Sequence, residues 1–427
     1  MIAALSRLDS TLRQYMLVTF NYWNFTITDG ALRMLVVLYF HDLGYSTLAI
    51  ASLFLFYEFF GVVTNLVGGW LGARLGLSRT MNVGLALQIL ALLLLAVPSS
   101  WLTVAWVMLA QAISGIAKDL NKMSAKSSIK TLVPNNEQGA LYHWIAVLTG
   151  SKNALKGFGF FIGGLLLTLI GFQYAVLTMA AVLLLVFIGS LIFLKSDMGK
   201  ASTKPKFSEM FSKSSSVNIL SAARLFLFGA RDVWFVVALP IYLGSVFGWD
   251  HTYVGGFLAL WVIGYGIVQT QAPKLTGRGR TGRDKGPSGK TKDIREKTKG
   301  VAPDGTMALF WVVLLTLVTG VIALAIQVNW YAEYTIVIGL LIFGAIFAVN
   351  SSLHSYLIVS YAKQDGVSLD VGFYYMANAM GRLIGTVLSG WVFQVAGFAA
   401  CLWVSLGFLA LTCVISLWLP KHTATTV

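Results

Sequence analysis

The sequence predicts an all-α integral membrane protein with twelve transmembrane helices in two pseudo-symmetric six-helix halves. Three observations carry this reading: a scarcity of charge, apolar runs of membrane-spanning length, and a repeat between the halves. Of 427 residues, 57% are hydrophobic and 11% are charged, against roughly 25% charged in soluble domains. A hydrocarbon core near 30 Å needs about 20 apolar residues at 1.5 Å each. Runs of that order cover 15–40, 47–72, 80–98, 101–121, 139–170, 172–194, 217–247, 252–272, 306–328, 330–356, 370–397 and 399–419. They lack the alternation of strands, and only helices or closed barrels satisfy their backbone in lipid.

The opening stretch, MIAALSRLDSTLRQY, has too brief an apolar part for a cleavable signal peptide. The first span is expected to act as its own insertion signal. Orientation follows from lysine and arginine. With the N-terminus inside, inner connections and tails hold 24 of the 31 basic residues, and outer connections such as HDLGYS, PSS and GWDH hold none. Both termini are therefore expected in the cytoplasm. The formal charge of +14 is read as membrane topology, and no nucleic-acid partner is called for.

A Lys/Ser-rich segment at 195–216 divides the chain into an N-terminal half, 1–194, and a C-terminal half, 217–427. The segment KGFGFFIGGLLLTLIGF from Lys156 parallels RLIGTVLSGWVFQVAGF from Arg382. In that register Lys156 matches Arg382, Gly159 matches Gly385, Gly164 matches Gly390 and Gly171 matches Gly397. Internal duplication of this kind places a binding site near mid-membrane where repeats meet. The stretch 273–305, with ten basic and four acidic residues, reads as a cytoplasmic loop. A role in attracting anionic lipid or substrate stands beside a purely topogenic one.

Seven basic residues fall inside the spans: Arg33, Lys118, Lys152, Lys156, Arg224, Arg231 and Arg382. With the fifth span entering the core near His143–Trp144, Lys156 lies about 18 Å deep, and Arg382 lies about 16 Å in from Val371, at 1.5 Å per residue. A cation at such depth costs roughly 2.5–3.5 kcal/mol on insertion scales, so it needs pairing or solvation. Lys152 and Lys156 are four apart and share a helix face, and Asn378 stands one turn before Arg382. The spans offer the carboxylates Asp29, Glu58, Asp119 and Asp232, besides Glu333 and Asp370 at the very start of two later spans. With those two end residues set aside, seven cations against four acids leave a surplus, which favours a multiply charged anionic ligand held by Arg33, Lys152, Lys156, Arg231, Asn378 and Arg382. Structural pairing with buried carboxylates, and snorkelling from the span ends, are the competing explanations. Arg33 stands one turn after Asp29, so those two can pair. Arg231 and Asp232 point about 100° apart on a helix and are not expected to pair with each other. Arg224 lies nearer the inner face, where snorkelling is open to it. Asp29 and Glu58 are the proton-coupling candidates. His143 and His354 are read as satisfied polar residues.

The two cysteines, Cys401 and Cys413, have no metal or disulfide spacing. No metal site, cofactor or nucleophile–base pair is visible, so an enzyme is not expected. Twelve spans in two halves, with GGWLGARLGLSRT at 68–80, resemble the major facilitator superfamily and its loop signature. Gly69, Leu71, Arg74, Gly76 and Arg79 fit that signature, while Ala73 stands where it has Asp. The resemblance assigns Gly69, Arg74, Gly76 and Arg79 to a cytoplasmic gating loop. GFFIGG at 159–164 is similar to a glycine signature of exporters in that superfamily.

Four stretches resemble a narrower family: NYWNFTITDGALRMLVVLYFHDLGYS, FLFYEFFGVVTNLVGGWLGARLGLSRTMN, GIAKDLNKMSAKSSIK and TGSKNALKG. They are similar to the ArsJ-type organoarsenical efflux permeases of bacteria, densely in the N-terminal half and more loosely beyond it. The resemblance implies a monomeric exporter in the bacterial inner membrane carrying 1-arseno-3-phosphoglycerate. A partner glyceraldehyde-3-phosphate dehydrogenase would make that compound from arsenate. Other readings stay open: a different organophosphate or organic-anion transporter, a proton-coupled drug exporter, or a non-transporting membrane sensor. A drug exporter would carry few fixed cations, and a sensor would tolerate their neutralisation.

Overall fold

A computed structural model describes residues 10–45, 53–132, 138–195, 211, 214–235, 237–249, 251–276 and 303–421. Most of the basic segment 273–305 and most of the linker 195–216 lie outside the described residues. The elements are α1 (Ser10–Asp42), α2 (Leu55–Leu75), α3 (Leu77–Leu95), α4 (Val104–Leu132), α5 (Gln138–Phe193), α6 (Ser215–Phe235) and α7 (Ala238–Phe247). They continue with α8 (His251–Leu275), α9 (Gly305–Gln327), α10 (Ala332–Tyr361) and α11 (Val367–Ser416). A single 3-10 turn, Ser99–Trp101, separates α3 from α4, and no strand occurs among the described residues.

Several of these helices are long and apolar enough to cross a membrane, among them α3, α9, α10 and most of α5 and α11. Their exposed side chains are those of a lipid-facing surface: Leu169, Leu185, Ile192, Leu317, Val321 and Val395 all stand on the outside. Two rods each do the work of two spans. α5 bends at Gly171 (φ 73°, ψ 172°) and α11 at Gly397 (φ 77°, ψ −175°). These glycines are matched in the sequence repeat, and they share a backbone geometry that an L side chain reaches only under strain.

The chain packs into two compact units. The first comprises Met1–Leu132, Lys152–Ser212 and Ala362–Ala379. There α4 is the central element, packed against α1, α2 and α3. Leu32, Leu35, Phe40, Leu85, Leu92 and Val107 contribute to its apolar core. The second unit comprises Val133–Ser151, Lys213–Tyr361 and Met380–Val427. There α10 takes the equivalent place, against α6, α8 and α9. Its core gathers Trp234, Trp261, Phe343 and Phe347. Asn121 of α4 and Asn350 of α10 bond back to Ala117 O and Ile346 O respectively, the same local device in each central helix. The beginning of α5 thus belongs with the second unit and the beginning of α11 with the first, so the units do not follow the division at 195–216.

The fourth span runs further than its sequence-based end at residue 121. α4 continues to Leu132 and takes Lys122, Lys126 and Lys130 into the helix, where Lys126 and Lys130 are buried. The seventh span contains α6, ending at Phe235, and α7, starting at Ala238, and Ser215–Phe247 together is long and apolar enough to cross a membrane. Pro240 in the first turn of α7 lacks an N–H that the helix there does not need.

Candidate functional site

The first unit builds a charged cluster where α1 meets α5. Glycines set the approach of the two helices. A Cβ on Gly30 would lie 2.6 Å from Lys156 O, and one on Gly159 would lie 2.5 Å from Ile27 O. Small residues at such positions let helix backbones touch. The approach brings Lys156 Nζ to 3.7 Å from Asp29 Oδ2. The other Asp29 oxygen accepts a 2.6 Å bond from the Tyr57 hydroxyl of α2. Arg33 stands close enough to act on Asp29, but the ion pair it forms is with a different carboxylate. It reaches Glu58 of α2, with 3.1 Å between Nη2 and Oε1, and its guanidinium lies 5.0 Å from the ring centres of Phe54 and Tyr57. Both proton-coupling candidates, Asp29 and Glu58, therefore stand in ion pairs.

The cluster continues along α4. Lys118 Nζ lies 3.7 Å above the Tyr57 ring and 3.7 Å from Asp119 Oδ2. Lys122 also bonds Asp119. Lys126 donates to the Tyr375 hydroxyl at 2.5 Å, and the Tyr375 ring receives Lys122 and Lys126 at 4.9 and 4.8 Å. Lysines at 118, 122, 126 and 130 occupy one helix face at four-residue spacing, a like-charge arrangement that a bare helix disfavours. Hydropathy places three of them in a connection; their i, i+4 spacing is the signal of a helical face. Lys152 donates to Asn153 Oδ1 at 3.3 Å, and Asn378 is buried in the part of α11 that belongs to this unit.

The second unit repeats the pattern. A Cβ on Gly385 would lie 2.7 Å from Gly229 O, so α6 and α11 approach as α1 and α5 do. Asp232 is fully buried. Its Oδ2 receives Arg382 Nε at 3.2 Å, and its Oδ1 receives Arg231 through Nε at 2.6 Å and Nη2 at 2.5 Å. The expectation that adjacent Arg231 and Asp232 would not pair is corrected here. The long arginine stem folds along the helix and brings its planar fork onto the neighbouring carboxylate. Arg224 does not snorkel. It is buried, donates to Ser351 O at 3.3 Å and lies 3.8 Å from the Phe228 ring centre.

Matched helices thus carry matched pairs: Lys156 with Asp29, and Arg382 with Asp232. The expectation of uncompensated mid-membrane cations gives way to ion pairs in which acids are shared. Asp119 serves two lysines and Asp232 serves two arginines, so positive charge remains in excess at both.

Of the loop residues, Gly76 (φ 98°, ψ 150°) makes the turn between α2 and α3. Arg74 is exposed beside the Trp70 ring at 5.1 Å, and Arg79 is exposed. Gly69 lies inside α2, under α11. Ser368 donates to Gly69 O at 2.7 Å, and a Cβ on Gly69 would stand 2.5 Å from Ser368 O and 3.0 Å from Gly372 Cα.

Long apolar helices carrying buried ion pairs define a multi-pass membrane protein. The chain belongs to the Major Facilitator Superfamily, whose family model matches residues 15–285. Solved structures agree in fold. The human organic anion transporter MFSD10 superposes with a TM-score of 0.69 at 16% identity, over 96% of this chain and 100% of that one. A bacterial homologue of the iron transporter ferroportin, in an outward-facing state, gives 0.69 at 14% identity, covering 96% and 99%. The E. coli fucose:proton symporter gives 0.71 at 13% identity, covering 96% and 99%. No curated protein matches the chain.

Proposed function

We propose that this transporter exports an anionic organoarsenical, 1-arseno-3-phosphoglycerate, by alternating access, and so confers resistance to arsenate. The observation that carries the reading is the excess of cations over acids at equivalent places of the two repeats. Asp232 is shared by Arg231 and Arg382, and Asp29 stands with Lys156 in a cluster that also holds Arg33, Lys118 and Lys122. A cargo with carboxylate, phosphate and arsenate groups offers the negative charge that such clusters accept by exchange of ion-pair partners. Lys156 and Arg382 are the principal cargo ligands in this reading, with Arg33, Lys152, Arg231 and Asn378 in support. Asp29 and Glu58, released from their cations when cargo binds, are the groups available to take up a proton. The absence of paired thiols among Cys401 and Cys413 suits a pentavalent oxyanion, since trivalent arsenic prefers soft sulfur.

The protein is proposed to work as a monomer in the bacterial inner membrane with both termini in the cytoplasm. A glyceraldehyde-3-phosphate dehydrogenase would supply the cargo. The test is growth of an arsenate-sensitive bacterium carrying this chain with and without that dehydrogenase. Resistance is expected only with both. Resistance that is independent of the dehydrogenase removes the organoarsenical cargo. Lys156→Gln and Arg382→Gln are each expected to abolish resistance at wild-type membrane levels. Resistance surviving in the double variant removes these residues from the site.

A further inference from the structure

The central helix of the second unit carries polar groups that its apolar surroundings do not explain. His354 of α10 is fully buried, and neither ring nitrogen has a hydrogen-bond partner among the described residues. Oγ of Ser355, Oδ1 of Asn350 and Oγ of Ser221 on α6 are likewise buried without partners among them. Buried polar groups of this kind call for a partner, and those gathered on neighbouring turns of α10 offer a ligand or ordered water several contacts at one place. Arg224 sets the sign of that ligand. Its guanidinium is buried, anchored to Ser351 O, and is the charge that bears on His354. Asn350 and His354 are four apart and share one face of α10, while Ser355 stands one turn beyond Ser351.

We infer that Arg224, His354 and Ser355 form an oxyanion-binding site within the second unit, two helical turns along α6 from Arg231, with which Arg224 shares the Phe228 ring. Guanidinium, imidazole N–H and hydroxyl are the donor set that tetrahedral phosphate-like and arsenate-like groups take up. Asn350 would add Nδ2 by turning its amide, giving up the 3.3 Å bond to Ile346 O. A water could satisfy single orphan atoms, but the fixed positive charge beside them favours an anion. The inference extends the anionic-cargo reading by naming a second set of ligands. It concerns the anion class alone and does not depend on arsenic being carried.

The experiment is thermal unfolding of the purified full chain in detergent, titrated with inorganic phosphate, arsenate or chloride. Phosphate and arsenate are expected to raise the unfolding midpoint in the wild type, and chloride is not. His354→Phe replaces the orphan polar atoms by a ring. It is expected to raise the midpoint without anion and to abolish the anion-dependent rise. Arg224→Lys and Ser355→Ala keep size and burial nearly unchanged, and each is expected to weaken apparent phosphate affinity about tenfold, the loss of one good charge-assisted bond. These two carry the test if His354→Phe does not fold. An anion-dependent rise that persists unchanged in the variants overturns the site, as does a wild type that does not respond. An equal response to chloride replaces the oxyanion by a general halide site and overturns it too. Failure of dehydrogenase-dependent resistance would leave this result standing, because phosphate binding is read without any transport.

Discussion

Arg382 of α11 closes on Asp232 of α6, with 3.2 Å between Nε and Oδ2, and the same fully buried carboxylate also holds Arg231. One fully buried acid therefore fixes two cations. Asp232→Asn should be far more disruptive than loss of either arginine. Removing the acid of a buried pair costs about 3–5 kcal/mol, because the cations stay behind uncompensated. The expected outcome is a collapse of the unfolding midpoint in Asp232→Asn, partly restored by Arg231→Gln in the same chain. A midpoint unchanged by Asp232→Asn would show that the arginines are held by something else.

Gly171 and Gly397 test the backbone in isolation. Nothing lies within 4 Å of a Cβ built on either, so alanine would meet open space. The φ values of 73° and 77° with ψ near 180° belong to a region reserved for glycine, at a cost of about 1–3 kcal/mol for other residues. Gly171→Ala and Gly397→Ala should each lower stability by that order, read as the midpoint of unfolding in detergent. Gly390→Ala, also in open space but helical, should be neutral or mildly stabilising.

At the crossing of α1 and α5 the argument is steric. A side chain at Gly159 would strike Ile27 O and the backbone of Gly30. Gly159→Leu should force the helices apart, costing at least the 1–3 kcal/mol typical of overpacking, roughly. It should also lengthen the Lys156–Asp29 pair. Cysteine cross-linking between the two helices provides the measurement: a drop in efficiency is expected, and unchanged efficiency would refute the close approach.

Tyr57 joins three features: its hydroxyl bonds Asp29, its ring lies under Lys118, and it neighbours Arg33. Tyr57→Phe keeps the ring and removes the bond. A hydrogen bond to a charged group is worth about 1.5–3 kcal/mol, and a loss within that range is expected. A double-mutant cycle with Asp29→Asn should show coupling between the two positions. Additive effects would mean that the 2.6 Å bond contributes nothing.

Fold class and repeat were legible in the sequence because they depend on composition and spacing. Twenty-residue apolar runs have few alternatives in lipid, and matched glycines such as Gly171 and Gly397 are visible as letters before they are visible as kinks. The end of α4 was not legible. Lys122, Lys126 and Lys130 look like a cytoplasmic connection by hydropathy, yet aromatic faces and Asp119 give Lys122 and Lys126 partners that keep the helix going. Nor could the sequence pair its charges. Arg33 lies one turn from Asp29 but is drawn to Glu58, because partner choice depends on how α1, α2 and α5 come together. The adjacent Arg231 and Asp232 defeated helical-wheel reasoning, which fixes Cβ directions and ignores the reach of a long, flexible stem. His354 read as an ordinary satisfied histidine, and only the packed structure reveals that its nitrogens lack partners.

The seam where α11 lies on α2 is made of main chain: Ser368 O and Gly372 Cα rest against Gly69, joined by one hydroxyl-to-carbonyl bond. Smooth surfaces of this sort have no knobs seated in holes. Backbone meets backbone there with no space left for even one more methyl group, so any larger residue at Gly69 or Gly372 would have to push the two helices apart.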